Sequence, residues 1–185
     1  MRWMWIDRIL SLDPGQRLVA VKNISMAEEH LHDHFPAVGE SVGRPAAAVV
    51  GQPTPRAAMP IMPATLIIEG MAQSAGILVG HAGQFKQKVL LAKITRAEIE
   101  QDAVPGDTLR YTATIQSLSP QGASTQGVVE LRRAGAGEFT PIGRVDLMFS
   151  HVDQAMSGVG GVEMPRENFV FGEAFKTLLR TSGFG

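Results

Sequence analysis

His34 lies in Asp33-His34-Phe35-Pro36, and Glu69 is the one carboxylate in a long apolar segment that opens at Met62-Pro63 and carries Leu66, Ile67, Ile68, Met71 and Ala72. Histidine titrates close enough to neutrality to be uncharged and still take a proton. A carboxyl among apolar neighbours is held toward its uncharged, proton-donating form. Together these are the two groups that proton transfer at a carbon centre requires. Gln73 stands four residues after Glu69, one turn along the same face of a helix, where it could fix the carboxyl by a hydrogen bond.

The surrounding elements must position this pair. From Pro63 to about Gly80 the sequence is apolar nearly all round, opened by a proline suited to the first helical turn and closed by glycines at 80 and 83. A helix apolar on every face is a buried one. The run is shorter than the ~20 residues that span a bilayer, and it contains Glu69 and Gln73, which argues against a membrane segment. Residues 17–24 alternate as a strand does, behind turn chemistry at Asp13-Pro14-Gly15, and the residues before them read as a short helical or extended lead. Strand-like stretches follow the helix at about 88–99, 109–116, 124–133 and 141–152, separated by Pro105-Gly106-Asp107 and Gly135-Ala136-Gly137. The expected architecture is α+β, with one long buried helix covering a face of a mostly antiparallel sheet. Between 37 and 58 the Gly- and Pro-rich sequence reads as an inserted loop with at most a short turn of helix. A main domain over 1–153 is thus followed by an appendage, 154–185. In that appendage Phe171, Ala174, Phe175 and Leu178 are spaced as a short amphipathic helix that needs a surface to pack on.

Composition narrows the function. The chain has 185 residues, 44% of them hydrophobic, enough for one domain with a real core. A net charge of -1 gives no electrostatic case for nucleic acid or an anionic membrane. With no cysteine, disulfides and thiolate chemistry are excluded, in keeping with a reducing cytosol. Asp7 and Arg8 interrupt what a signal peptide would keep apolar, so a cytoplasmic protein is expected. No phosphate loop, dinucleotide fingerprint or serine-hydrolase elbow is present. His30, His32 and His34 lie close enough to suggest a metal, but their spacing lacks one residue of the His-x-His-x-Asp-His pattern. His30 and His32 therefore read as surface histidines, with no metal expected. His81 and His151 sit at element ends, Met59, Met62 and Met71 read as core filler, and Trp3 and Trp5 as cover for a sheet edge or an interface.

Four pieces occur in a telling order. They are Ile6-Asp7-Arg8-Ile9-Leu10 with Pro14-Gly15, then His34-Phe35-Pro36, then Pro60-Ile61-Met62-Pro63 running into Leu66 to Gln73, and last Pro105-Gly106-Asp107. Over residues 5–150 the chain resembles the β-hydroxyacyl-acyl-carrier-protein dehydratases. The resemblance implies a hotdog fold, a long helix wrapped by a curved antiparallel sheet. It implies cofactor-free dehydration of a (3R)-3-hydroxyacyl thioester to the trans-2-enoyl thioester in fatty-acid elongation. Under it His34 is the base, Glu69 the acid that serves the leaving hydroxyl, and Gln73 the residue that orients Glu69. Backbone N–H groups of Ala64 and Thr65, at the positive end of the helix, would face the thioester oxygen. Phe35, Leu66 and Ile77 would line the acyl tunnel. Acyl carrier protein is the implied partner, and the implied assembly is a homodimer or trimer of dimers in which His34 of one subunit meets Glu69 of the other. On the same fold stand a non-catalytic acyl-binding or scaffolding subunit, a thioesterase, and a dehydratase/isomerase, which carries aspartate where Glu69 stands.

The chain departs from the family pattern in three places. Ala64 stands where a glycine is usual. His34 and Glu69 are 35 positions apart, further than usual, because of the 37–58 insertion, which would form a lid or specificity loop. Ahead of Pro105-Gly106-Asp107, where arginines are usual, stand Glu98, Glu100, Gln101 and Asp102. Docking of the acidic carrier would then pass to Lys86, Lys88, Lys93 and Arg96, unless these form a solvated face.

Overall fold

A computed structural model describes residues 4–32, 60–152 and 170–184. His34, Phe35, Trp3, Met59 and the 37–58 insertion lie outside the described residues.

Among the described residues six strands form one antiparallel sheet in the order β1-β2-β4-β5-β6-β3. They are β1 (Arg8–Asp13), β2 (Arg17–Asn23), β3 (Lys88–Ile99), β4 (Thr108–Ser119), β5 (Gly122–Arg132) and β6 (Thr140–Val152). The lead that could have been helical or extended is β1, hairpinned to β2 through a turn with Gly15 at φ +69. In β4, Leu109, Tyr111 and Ala113 are buried while Arg110, Thr112 and Thr114 are partly exposed, so the sheet has one dry and one wetter face.

Helix α2 (Ala64–Ala82) lies on the dry face, chiefly against β4. Ile67, Met71, Ala75 and Leu78 bury themselves against Leu18, Ala20, Tyr111, Val129, Val145 and Leu147. Helix and sheet approach closely at Gly70, where an added methyl would meet Tyr111 Oη at 2.5 Å and the Trp5 carbonyl oxygen at 2.9 Å. The Pro105-Gly106-Asp107 turn sets the entrance of the helix. Buried Asp107 accepts hydrogen bonds from the N–H groups of Val104 (3.1 Å) and Ala134 (3.0 Å) and from Arg133 Nη1 (2.8 Å). The neighbouring Ala103 carbonyl accepts from the Met62 N–H at 2.8 Å.

Two short helices complete the described parts. α1 (Glu29–His32) is a single turn whose Leu31 is buried. α3 (Glu173–Ser182) ends on Gly183 at φ +87, buries Leu178 and Leu179, and packs along β1, where the Ile9 N–H donates to Ser182 Oγ at 3.0 Å. Among the described residues no helix is long and apolar enough to cross a membrane.

Candidate active site

Glu69 is half-buried near the start of α2, and its Oε1 accepts a hydrogen bond from Gln73 Nε2 at 3.0 Å. Gln73 is buried, and its Oε1 accepts the Trp5 backbone N–H at 2.8 Å. One amide thus accepts a hydrogen bond from the main chain and donates one to the carboxyl, which fixes the side-chain orientation of both residues. Trp5 is held in turn. Its ring meets His30 edge to face at 5.1 Å, and His30 Nε2 lies 3.2 Å from Met62 Sδ at the helix entrance. His30 is therefore half-buried packing, not a surface histidine, while His32 is exposed.

At the entrance the Pro63 carbonyl accepts the N–H groups of Leu66 (2.9 Å) and Ile67 (3.2 Å). Ala64 and Thr65, both exposed, precede these bonds, at the end of the helix where N–H groups have no intrahelical acceptor and the dipole is positive. Because Ala64 is exposed, its extra methyl does not crowd the packed core.

Lys22 anchors the turn that leads toward His34. It is buried, and it pairs with Glu28 at 2.8 Å, just ahead of α1, and with Asp7 at 3.2 Å. Burial alone would lower its pKa, but the Glu28 and Asp7 carboxylates together outweigh burial and raise it above the usual lysine range.

Beside Glu69 opens an apolar cavity of about 380 Å³, lined on α2 by Glu69, Ala72, Gln73 and Gly76 and elsewhere by residues including Leu91, Phe149, Phe171 and Phe175. Neither Leu66 nor Ile77 lines it. At ~100° per residue Ile77 stands about 80° round the helix from Glu69, and it is fully buried in the core, with Leu66 half-buried against that core. On α2 the cavity lies over small residues, Ala72 and Gly76. A signal for them was present: Ala72 and Gly76 follow Glu69 at i+3 and i+7.

Of the cations expected to face a carrier protein, Lys88 is buried, while Lys86, Lys93 and Arg96 are exposed, with Arg96 paired to Glu98 at 2.6 Å. His151 is buried with no partner on either ring nitrogen among the described residues, and His81 packs edge to face on Phe85 at 5.9 Å. Among the described residues no three His, Cys, Asp or Glu side chains group as metal ligands.

Residues 57–134 match a family model described as a FabA-like domain. The matched stretch contains the Glu69–Gln73 pair and the Pro105-Gly106-Asp107 turn. A Pelotomaculum thermopropionicum protein named 3-hydroxyacyl-[acyl-carrier-protein] dehydratase FabZ is 30% identical over 149 residues, covering 80% of this chain and 87% of that one. The chain belongs to this dehydratase family. A family member of the same name from Ruminiclostridium cellulolyticum is 31% identical over 140 residues, 74% of this chain and 84% of its own. Another from Symbiobacterium thermophilum reaches 37% over 117 residues, 63% and 68% of the two chains. Among solved structures, a Streptococcus mutans protein bound to acetyl CoA superposes with a TM-score of 0.52 at 8% identity, covering 78% of this chain and 87% of its own. An acyl-coa hydrolase mutant from Staphylococcus aureus in complex with coenzyme A gives 0.51 at 10%, covering 75% and 66%. At such identities the likeness speaks for the fold alone, and the fold of this dehydratase-family chain is the hotdog.

Proposed function

We propose that this chain removes water from (3R)-3-hydroxyacyl-acyl carrier protein to give the trans-2-enoyl thioester of fatty-acid elongation, without a cofactor. The observation that carries the reading is the Trp5–Gln73–Glu69 relay at the edge of an apolar cavity, in a chain whose relatives are named as that dehydratase. His34 takes the proton from the carbon next to the thioester carbonyl. The N–H groups of Ala64 and Thr65 receive the charge that builds on the thioester oxygen. Glu69, oriented by Gln73, gives a proton to the departing hydroxyl, so that water leaves and the double bond closes. Passage of the proton from His34 back to Glu69 restores the starting state. Phe35 belongs to the acyl path, and Lys86 and Lys93 offer charge to an acidic carrier. The reaction fits the cytoplasm, where fatty-acid elongation draws on a soluble carrier.

The site is read as shared within a homodimer. One edge of the sheet, β1, is covered by α3, whereas the twelve-residue edge strand β3 exposes Leu91 and Ile94. A second copy laid along this edge would cover both side chains. The expected outcome is that His34→Ala and Glu69→Gln each abolish hydration of a crotonyl thioester with the oligomer intact. Mixing the two dead variants under exchange should restore activity, because a mixed dimer holds one site with neither change. Near-normal rates in either single variant refute the catalytic assignment, and a dead mixture of exchanged dimers refutes the shared site.

A further inference from the structure

We propose that the C-terminal segment, through Phe171 and Phe175, is the gauge that sets how long an acyl chain the groove beside Glu69 accepts; this rests on the dehydratase reading above. Glu69, Ala72, Gln73 and Gly76 form one stripe of α2 along the groove, and Gly80 is the next residue on it, about 20° from Glu69 at ~100° per residue. The two glycines of that stripe are in opposite states. A methyl built on Gly76 would meet nothing closer than Phe149 Cε1 at 3.7 Å, so its face is open. At Gly80 the same methyl would collide with the Phe171 ring, so its face is filled.

Phe171 is itself fixed. It is buried, and it meets Phe85 edge to face at 4.8 Å and Phe175 at 5.9 Å. Behind it α3 is pinned by buried Leu178 and Leu179 and by the Ser182–Ile9 hydrogen bond. Val170, Phe171 and Phe175 line the groove together with Ala72 and Gly76, and Phe171 fills the Gly80 face, so the segment closes the end remote from the carboxyl. The face is open at Gly76 and filled at Gly80, so the wall stands between seven and eleven residues from Glu69, about 10–16 Å along the helix. An extended chain advances about 1.2 Å per bond, so about eight to fourteen bonds fit before the acyl tail meets the Phe171 ring.

The test measures kcat/KM for a ladder of straight-chain (3R)-3-hydroxyacyl thioesters on acyl carrier protein, with the full chain, Phe175→Ala and Gly76→Val. The half-buried Phe175 is chosen because truncating the deeply buried Phe171 risks the fold. In the unaltered protein, activity should fall once the tail passes a length in the range of about eight to fourteen bonds. Phe175→Ala should raise the ratio of long-chain to short-chain kcat/KM by about tenfold and Gly76→Val should lower it by as much, since one methylene in an apolar pocket is worth at least that. A merely structural role for α3 would change stability and leave this ratio alone. An unmoved ratio in both variants, with folding retained by circular dichroism, overturns the gauge and leaves the dehydratase reading standing. If the unaltered protein turns over no chain length, the dehydratase reading falls, and the gauge with it.

Discussion

Replacing Gln73 tests the relay, because its bonds to Trp5 and Glu69 can be removed together or one at a time. Gln73→Leu keeps the volume but removes both, leaving the Trp5 N–H without its acceptor at 2.8 Å and Glu69 without its donor at 3.0 Å. A buried donor stripped of its partner costs about 1–3 kcal/mol, which at about 2–4 °C per kcal/mol for a chain of this size lowers Tm by roughly 2–12 °C. Gln73→Glu keeps an acceptor for Trp5 and removes only the donor, placing a second carboxylate about 3 Å from Glu69. At an effective dielectric of about 20 two charges at that distance repel by about 5 kcal/mol, and partial exposure of Glu69 leaves a fraction of that. Even about 1.4 kcal/mol is a whole pKa unit, so the pair retains a shared proton to higher pH. A carboxyl whose pKa is raised by folding adds stability below its unfolded value and loses it as pH rises. Gln73→Glu should therefore match the parent near pH ~4 and fall behind it toward neutrality, while its pH–rate profile moves upward. Gln73→Leu should lose about tenfold in kcat/KM, the effect of ~1.4 kcal/mol of positioning. Thermal melts across pH, paired with crotonyl hydration rates, read all of this. A Gln73→Glu variant with unchanged melts and an unchanged pH profile would refute the relay.

Two further predictions concern the supports of the site. Lys22→Met strands Glu28 and Asp7 and should cost about 1–3 kcal/mol at neutral pH, less than the 3–5 of a fully buried pair because both partners keep some contact with water. Since folding raises the Lys22 pKa, its contribution is whole below the unfolded value of about 10.4 and fades as pH climbs through the folded one; urea denaturation should show the gap between parent and variant closing in alkali. Tyr111 is fully buried with no partner for its hydroxyl among the described residues, and burial first, then Asp7 and Glu28, push its pKa far above the usual phenol range. Tyr111→Phe removes an unsatisfied group and should raise stability by about 1–3 kcal/mol; a lower Tm would reveal a partner for the hydroxyl.

The sequence was informative where one local signal decided the outcome. β4 shows its period of two because the sheet has one dry face, and α2 shows itself because it has no wet one. β3 is exposed along most of its length, so its boundaries came from flanking turns, not from periodicity. β1 was ambiguous because a bulge between Ile9 and Ser11 breaks its alternation. The Glu69–Gln73 bond was legible because both ends share a helix at i and i+4, whereas its continuation to Trp5 spans 68 positions and joins a side chain to a main-chain N–H that no residue type announces. The groove was only partly legible for a related reason. Empty space depends on what stands opposite, so Gly76 and Gly80, the same residue type four positions apart, differ in that Phe171, from a distant segment, and Phe85 crowd the second.

That difference explains why α2 is apolar all round. Measured from Glu69, Ile67, Met71 and Leu78 lie roughly opposite at ~100° per residue, and they bury themselves against the sheet. The Glu69 stripe therefore faces away from the strands that hold the helix, and a lone sheet would leave it in water. It is covered instead near its start by the segment that carries Trp5 and at its far end by Phe171, with the groove open between. Neither covering segment brings a group that moves protons. Both still shape the candidate site, because a fixed orientation and limited water favour proton transfer from a carboxyl. The N-terminal cover supplies the orientation through Gln73, and the C-terminal cover supplies the end wall. In this chain the helix and sheet hold the carboxyl, and the flanking segments shape the space in front of it.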